Sequence, residues 1–334
     1  MPRILVYEFI CGGALADQPL PDSLASEGWA MLSSVVEDFS KVEGMEVWTT
    51  LDSRIKKSLP AEVKEFRLEE EREALQSLAS DCDYVLVIAP ETGGILLERT
   101  VWLRNSSARW LGCSSTAIEI TTDKFRFGNY VNENGLPALT GWLLQSENIE
   151  GLEFPIVIKP RDGAGSQDTF LVHAEDELRN AFDLLKGKEG QFIYQPLCPG
   201  QPVSVAFFCG PEGVTALPPC SQNLSGDGRF RYLGGRVPLK KKLADRATSL
   251  ATQAVHAVDG LLGFVGVDLL LGGEPKEDRV VEVNPRLTTS YVGLRQAVDV
   301  NLAGQLLAIV DGVPRSAGLQ AARDIEFRSD GGWM

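Results

Sequence analysis

The sequence predicts an α/β protein, with a leading parallel α/β domain followed by further lobes that mix strands and helices. Three observations carry this expectation. Apolar runs of strand length alternate with helix-patterned segments through the first hundred or so residues. The chain has 334 residues, more than the ~250–300 at which a single core usually stops growing, so two or three lobes are expected. Its last third holds two apolar strand patterns joined by a loop of hairpin length.

The elements follow in order. RILVYEF at 3–9 is a buried-strand pattern ending at Cys11, Gly12 and Gly13, and a helical stretch runs from Ser26 to about Ser40. MEVWTTL is a second strand, and DYVLVIAP at 83–90 a third, ending in Glu91, Thr92, Gly93 and Gly94. Ligands of parallel layers sit at the carboxyl ends of the strands, so both Gly-Gly turns lie on that edge, although either turn alone reads equally well as a chain reversal. Neither G-x-G-x-x-G nor G-x-x-x-x-G-K-[ST] occurs, which removes the main support for a dinucleotide-binding dehydrogenase or a P-loop kinase.

SSTAIEITTDKFRFGNYVNENGLP reads as one capped helix that stops at Gly135, with Lys124 near its middle. PIVIK is a strand that delivers Lys159, and Asp162, Gly163, Ala164, Gly165 and Ser166 form a small-residue loop before the strand TFLV. A lysine beside such a loop suits phosphate, because ammonium and backbone N–H groups both meet negative oxygens; a plain hairpin turn is the competing reading. QFIYQPLCPGQPVSVAFF supplies two strands around a Gln195-Pro196-Leu197 link, which either holds an adenine ring or merely connects domains. KLADRATSLATQAVHAV at 242–258 sets Ala247, Leu250, Ala251, Ala254, Val255 and Val258 at helical spacing toward a core. The tail from Ser316 has no period after Ala322 and is expected to end flexibly.

Bulk properties exclude several classes. Forty-six acidic residues against 32 Lys and Arg leave a formal charge of −14, which repels a polyphosphate backbone and argues against a nucleic-acid partner. An anionic small-molecule substrate would need a locally basic pocket. The longest apolar stretches fall short of a membrane span, and ILVYEFI contains Glu8 without a cleavage pattern, so no membrane partner and a cytoplasmic location are expected. Six cysteines without a C-x-x-C pair point to reduced thiols rather than zinc or disulfides. His173 and His256 are the only histidines, too few for a histidine metal site or a Ser-His-Asp triad, and His256 falls off its helix's apolar stripe.

The strongest constellation comes late. FVGVDLLL places Asp268 inside an apolar strand, and VVEVN places Glu282 and Asn284 two apart, on one face of the next strand. If GGEPKEDR is the hairpin loop, Asp268 lies beside Glu282. Adjacent buried carboxylates repel and are expensive, so a divalent cation is the natural reason for them; oxygen donors with few histidines select Mg²⁺ or Mn²⁺. The competing reading is an ion pair of Glu282 with Arg286 or Arg295, which leaves Asp268 and Asn284 without a role.

Lys124 in TTDK, Lys159 in VIKPRDGAGS, the Gln195-Pro196-Leu197 hinge, Asp268 in GVDLLL, and Glu282, Asn284 and Arg286 in VEVNPR stand in the order typical of ATP-grasp carboxylate–amine ligases, which the chain resembles over nearly its whole length. LPPCSQNL, RYLGGRVPL and VEVNPRLTTSYVGL resemble, more narrowly, the tyramine–glutamate ligases of methanofuran biosynthesis and their bacterial relatives. The resemblance implies an ATP-grasp fold: a Rossmann-like pre-ATP-grasp domain at 1–112, a lid subdomain with the glycine loop at 113–197, a C-terminal subdomain with the metal site at 198–315, and a tail at 316–334. It also implies roles. Lys124 and Lys159 hold the phosphates of ATP while Gly163, Gly165 and Ser166 close over them; Gln195, Pro196 and Leu197 seat the base. Asp268, Glu282 and Asn284 bind two Mg²⁺ or Mn²⁺ ions, Arg286 stabilises an acyl phosphate, and Asn223 is a further site residue.

The implied reaction joins a carboxylate, the γ-carboxylate of L-glutamate, to a primary amine such as tyramine or tyrosine, with release of ADP and phosphate, in a methanofuran or methylofuran type of C1-carrier synthesis. Its partners are small molecules, with a homodimer as the default assembly. One departure stands out: where many members of the superfamily carry glutamates for the ribose, this chain has Gln195, Gln201 and Pro202. The basic, glycine-rich SQNLSGDGRFRYLGGRVPLKKK is expected either to be a solvated loop or to meet a substrate carboxylate through Arg229, Arg231 or Arg236. A ligase for another amino acid or peptide, a non-catalytic ATP-binding protein and a metal-dependent hydrolase are the other readings.

Overall fold

A computed structural model describes residues 1–64, 70–145, 151–163, 165–313 and 319–333. Ala164 of the glycine loop and residues 316–318 of the tail lie outside the described residues. The first sheet is wholly parallel. It is built from β1 (Arg3–Glu8), β2 (Glu46–Thr50), β3 (Glu62–Lys64), β4 (Tyr84–Ile88) and β5 (Arg109–Trp110) in the order β3-β2-β1-β4-β5. Helices α1 (Asp22–Ser40), α2 (Glu71–Ser80) and α3 (Ile95–Leu103) accompany it. Ile4 to Tyr7 of β1 are fully buried, which is what a continuous apolar run becomes when helices cover both faces. The strand order reverses between β1 and β4, and the crevice at their carboxyl ends opens beside Glu8 and Glu91. Helix α1 starts at Asp22, directly after Pro21 and four residues before the expected Ser26.

The single helix expected from Ser114 to Gly135 is two: α4 (Ser115–Thr122) and α5 (Lys124–Glu133). Asp123 breaks them. Its backbone is extended, and its carboxylate accepts the N–H groups of Phe125 and Arg126, an N-cap that starts α5 afresh. Lys124 is therefore the first residue of α5 and not a mid-helix residue, and its ammonium reaches Gly163 and Glu282 in the neighbouring lobes.

A four-stranded antiparallel sheet follows, in the order β6 (Trp142–Leu143), β9 (Phe192–Pro196), β7 (Ile156–Pro160), β8 (Phe170–Val172). Helix α6 (Glu175–Leu184) closes its own small core of Ile156, Ile158, Val172, Leu178 and Phe192. The largest sheet has seven strands: β10 (Gln201–Gly210), β11 (Gly213–Ala216), β12 (Cys220–Leu224), β13 (Tyr232–Val237), β14 (Gly263–Leu271), β15 (Arg279–Asn284) and β16 (Ile325–Arg328). Helices α7 (Lys241–His256), α8 (Ser290–Ala297) and α9 (Leu302–Val310) pack on it. Helix α7 buries the expected stripe and leaves His256 exposed.

The chain end corrects one expectation. β16 pairs antiparallel with β13, and the Phe327 ring is fully buried. Four residues are too few to show a period, so the ordering force is tertiary. The ring occupies space left by Gly293, where a Cβ would come within 2.2 Å of it. All six cysteines are free thiols, and no helix of the described residues is long and apolar enough to cross a membrane.

Candidate active site

A cavity of about 770 Å³ lies where the three sheets meet. One wall is the β14–β15 hairpin. Asp268 stands directly opposite Glu282 in the antiparallel register, and Gly266 opposite Asn284, so the three oxygen-bearing side chains share one face as the spacing requires. The Asn284 Nδ2 donates to Asp268 Oδ2 at 3.2 Å. Burial, and next the Glu282 charge, push the Asp268 carboxyl well above its ordinary range. Burial works on Glu282 in the same sense, but the Lys124 and Lys159 ammoniums overcome it and hold Glu282 low.

Two buried carboxylates that cannot both ionise comfortably, with an amide beside them, fit a hard divalent cation. Among the described residues no group of three or more His, Cys, Asp and Glu is arranged to hold a metal. Protein donors here are two carboxylates and an amide, which leaves coordination positions for phosphate oxygens and water in the manner of Mg²⁺.

The expected alternative, Glu282 paired with Arg286 or Arg295, is corrected by the geometry. Glu282 Oε2 lies 2.9 Å from Lys124 Nζ, which also donates to the Gly163 carbonyl at 2.9 Å. The break at Asp123 is what brings Lys124 there. Arg295 is committed to Asp38 and Glu37, and Arg286 to Glu91, by Nε at 3.0 Å and a second guanidinium nitrogen at 2.9 Å. A third nitrogen of Arg286 donates to the Leu287 carbonyl at 3.2 Å. Of its five N–H groups, two therefore remain for an anionic ligand.

Lys159, at the end of β7, lines the cavity, and burial pushes its ammonium down to about 8. Gly163, Gly165 and Ser166 line the same cavity, and Gly165 and Ser166 both take left-handed φ values, 69° and 56°. The loop is fastened at both ends. Asp162 accepts the Gly93 N–H at 2.8 Å, and the Ser166 hydroxyl donates to the Phe230 carbonyl at 2.8 Å. The second Gly-Gly turn thus docks the loop, in addition to reversing the chain. Gln195 and Pro196 at the end of β9, and Leu197 just after it, follow at the cavity's edge, with Leu197 N–H bonded to the Pro155 carbonyl at 3.0 Å.

One expected residue falls off the cavity by register, and the basic segment takes the solvated one of its two readings for its arginines. Asn223 is exposed on β12, off the cavity, while its neighbours Gln222 and Leu224 line it; alternation along a strand admits one set or the other. Gln222 Nε2 donates to Asp268 Oδ1 at 3.0 Å, a contact the sequence alone does not reveal. The basic segment supplies the cavity with Ser225, Phe230 and Tyr232, not with its arginines. Arg229 lies over the Phe170 ring with 4.4 Å to its centroid, Arg231 pairs with Asp227 at 2.5 Å, and Arg236 with Asp324 at 3.5 Å. Arg229, Arg231 and Arg236 are all exposed, and none lines the cavity. Gln201 is also exposed and off the cavity, whereas Pro202 lines it.

The remaining wall belongs to the first domain, which contributes Glu8, Glu27 and, through Arg286, Glu91. None stands in a recognisable motif. The only hint in the sequence is that β1 ends on Glu8 and the turn after β4 carries Glu91, at the edge where a parallel layer binds ligands.

Known proteins resemble this chain in sequence and in fold. A family model described as ATP-grasp domain matches residues 121–290, and one described as pre ATP-grasp 3 domain matches residues 45–118. A tyramine–L-glutamate ligase of Methanocaldococcus fervens is 26% identical over 303 residues, covering 87% of this chain and 89% of the relative. The enzyme of the same name from Methanocaldococcus jannaschii is 27% identical over 299 residues, covering 87% and 84%. Among solved structures, an ATP-grasp superfamily protein from Archaeoglobus fulgidus superposes with a TM-score of 0.74 at 23% identity, over 98% of this chain and 92% of that one, a likeness of fold.

Proposed function

Because the chain belongs to the ATP-grasp family, we propose that it is an ATP-dependent ligase that joins a carboxylate to a primary amine and releases ADP and phosphate. The observation that carries this reading is the in-register Asp268–Glu282 pair with Asn284, facing Lys124, Lys159 and Arg286 across one cavity. An ATP-binding protein without chemistry has little use for that complete set, and a metal-dependent hydrolase has no need of Lys159 or the glycine loop. Likeness to two tyramine–L-glutamate ligases supports L-glutamate and tyramine or a similar aromatic amine as the substrates. The resemblance carried by LPPCSQNL, RYLGGRVPL and VEVNPRLTTSYVGL implies the γ-carboxylate and a place in C1-carrier synthesis of the methanofuran or methylofuran type.

In this mechanism a carboxylate oxygen attacks the γ-phosphorus of ATP, the bond from that phosphorus to the bridging oxygen of ADP breaks, and an acyl phosphate forms. The neutral amine attacks the acyl carbon; the carbon–oxygen bond to phosphate breaks, and the surplus proton leaves the nitrogen. No protein nucleophile takes part. Lys159, with no ion-pair partner among the described residues, meets the phosphates, and Lys124 turns to them from Glu282. The two N–H groups that Arg286 keeps free stabilise negative charge gathering on the transferred phosphoryl group. Asp268, Glu282 and Asn284 would hold Mg²⁺ or Mn²⁺, which neutralises phosphate charge when bound. The glycine loop, fastened to Gly93 and Phe230, keeps water from the acyl phosphate.

The test is ADP and phosphate release with Mg·ATP and L-glutamate, comparing no amine, tyramine, tyrosine and other primary amines, with Glu282→Gln as the blank. Release that requires both glutamate and one amine establishes the ligase. No release from any carboxylate and amine pair, with ATP still bound, removes it.

A further inference from the structure

The wall contributed by the first domain carries more negative charge than its surroundings balance. Leu24, Glu27, Gly28 and Met31 follow one another at i, i+3, i+4 and i+7 along α1, and all four line the cavity. A helix face with that spacing is ordinarily apolar. Here it carries a carboxylate. Glu27 has no hydrogen-bond or ion-pair partner among the described residues; the one charge acting on it is that of Arg286.

Behind it stands Glu8, only 2% exposed, whose carboxylate accepts the Cys11 N–H at 2.6 Å and further hydrogen bonds from the Ile10 backbone and the Cys11 thiol, and has no cation within ion-pairing distance among the described residues. The residue at 28 has to be small for this. A Cβ there would come within 2.8 Å of the Glu8 carboxylate, so glycine leaves that group its place at the cavity. The neighbouring guanidinium, Arg286, is already held by both oxygens of Glu91. The Arg286 charge thus acts on Glu8, Glu27 and Glu91 together, with Lys124 also near Glu91, and burial pushes Glu8 and Glu27 each up to about 7. An enclosed carboxylate without a paired cation is costly, and an arriving cation would relieve it.

The wall also faces the reacting end of the cavity. Tyr232, Glu27, Asp268 and Glu282 all line this one cavity. Phosphates are excluded from an acidic wall and have Lys124 and Lys159 to go to. What fits is a singly charged cation with N–H donors, carried on a body able to rest on Leu24, Met31 and Phe230.

Resting on the ligase reading above, we propose that Glu27, with Glu8 behind it, is the receptor for a primary ammonium group of one of the two substrates that condense. That ammonium belongs either to the amine that becomes the nucleophile, before it gives up its proton, or to the α-position of the amino acid whose carboxylate is activated. Both present the same chemistry to the wall.

Direct binding separates them without requiring turnover. Calorimetric titration of the full chain with tyramine, with 4-ethylphenol as its deaminated counterpart, tests the first source; L-glutamate against glutarate tests the second. The wild-type chain is expected to bind one of the two ammonium compounds at least about tenfold more tightly than its counterpart, the size of a charge-assisted hydrogen bond. Glu27→Gln and, separately, Glu8→Gln remove that preference, Glu27→Asp restores part of it, and all retain Mg·ATP binding as the sign of an intact fold. If neither ammonium is preferred by the wild type, or if both glutamine variants keep the preference within twofold, the receptor does not exist. Absence of ADP release from the wild type, measured apart, speaks against the ligase and leaves the binding result standing by itself.

Discussion

The β14–β15 hairpin and the wall formed by β1, α1 and the turn after β4 both bring carboxylates to the same cavity, yet only the first can be read from the chain. In the hairpin each acid interrupts an apolar strand, so its abnormality is local, and the period of two is enough to place Asp268 and Glu282 on one face. At the wall Glu8, Glu27 and Glu91 come from three separate elements. Glu8 looks like the end of a strand and Glu27 like the wet side of a helix. They become neighbours only because the strand order reverses between β1 and β4 and because Gly28 leaves room. A charge inside a period announces itself, whereas charges gathered by tertiary packing do not.

That contrast can be broken at several points. The largest effect is expected in the hairpin: Glu282→Gln should lower ATP turnover at least about a thousandfold, as loss of a principal charge-stabilising group does. Nucleotide binding followed by fluorescence should persist, and near-normal turnover would dissociate the hairpin from the chemistry.

At the wall, Glu91→Gln leaves Arg286 buried without its bidentate partner. It should lower unfolding free energy by about 3 kcal/mol in urea titration, the typical cost of breaking a buried pair. A loss of under about 0.5 kcal/mol, the level of a neutral surface change, would show that the pair is not needed to hold the lobes.

The pH dependence of stability sharpens the contrast further. Glu8 is raised from its ordinary value to about 7, mainly by burial, so the folded state holds a proton that the unfolded state releases near pH 4.5. Stability from this group is present at low pH and is lost as pH rises toward 7. Glu8→Gln has no such loss. The variant should therefore gain on the wild type between about pH 5 and pH 8, by up to about 3 kcal/mol at roughly 1.36 kcal/mol per unit. Parallel stability curves in thermal melts at both pH values would contradict it.

The smallest effect separates two adjacent residues. Gln222→Ala should reduce kcat about tenfold by releasing Asp268 from its 3.0 Å hydrogen bond, while Asn223→Ala, on the opposite face, should stay within about twofold. Equal effects would mean that the strand register seen here is not the working one.

The fold is largely legible in the sequence, because buried parallel strands are continuous apolar runs and α7 repeats its apolar residues at helical spacing. Three features escape such reading for physical reasons. Asp123 has the pattern of a helix-interior residue, although its side chain is an N-cap that competes with helix continuation. β16 goes unseen because four residues carry no period and their order depends on Phe327 fitting beside Gly293. The arginines of the polar loop draw attention by charge alone, whereas the folded loop turns them to Phe170, Asp227 and Asp324 and gives Phe230 and Tyr232 to the cavity. In the site itself, Lys124, Lys159, Asp268, Glu282, Asn284 and Arg286 are all legible and share the cavity. Their immediate partners Glu91 and Gln222 are not, since a partner is chosen by packing across lobes.

The central claim is that ATP activates a carboxylate in this cavity by phosphorylating it. Its most direct test is oxygen transfer: L-glutamate carrying ¹⁸O in its γ-carboxylate is turned over with Mg·ATP and the accepted amine, and the released phosphate is analysed by mass spectrometry. An acyl phosphate requires that one carboxylate oxygen leave with the phosphate, so each phosphate should carry one ¹⁸O. Phosphate without label, released alongside amide product, would contradict the account.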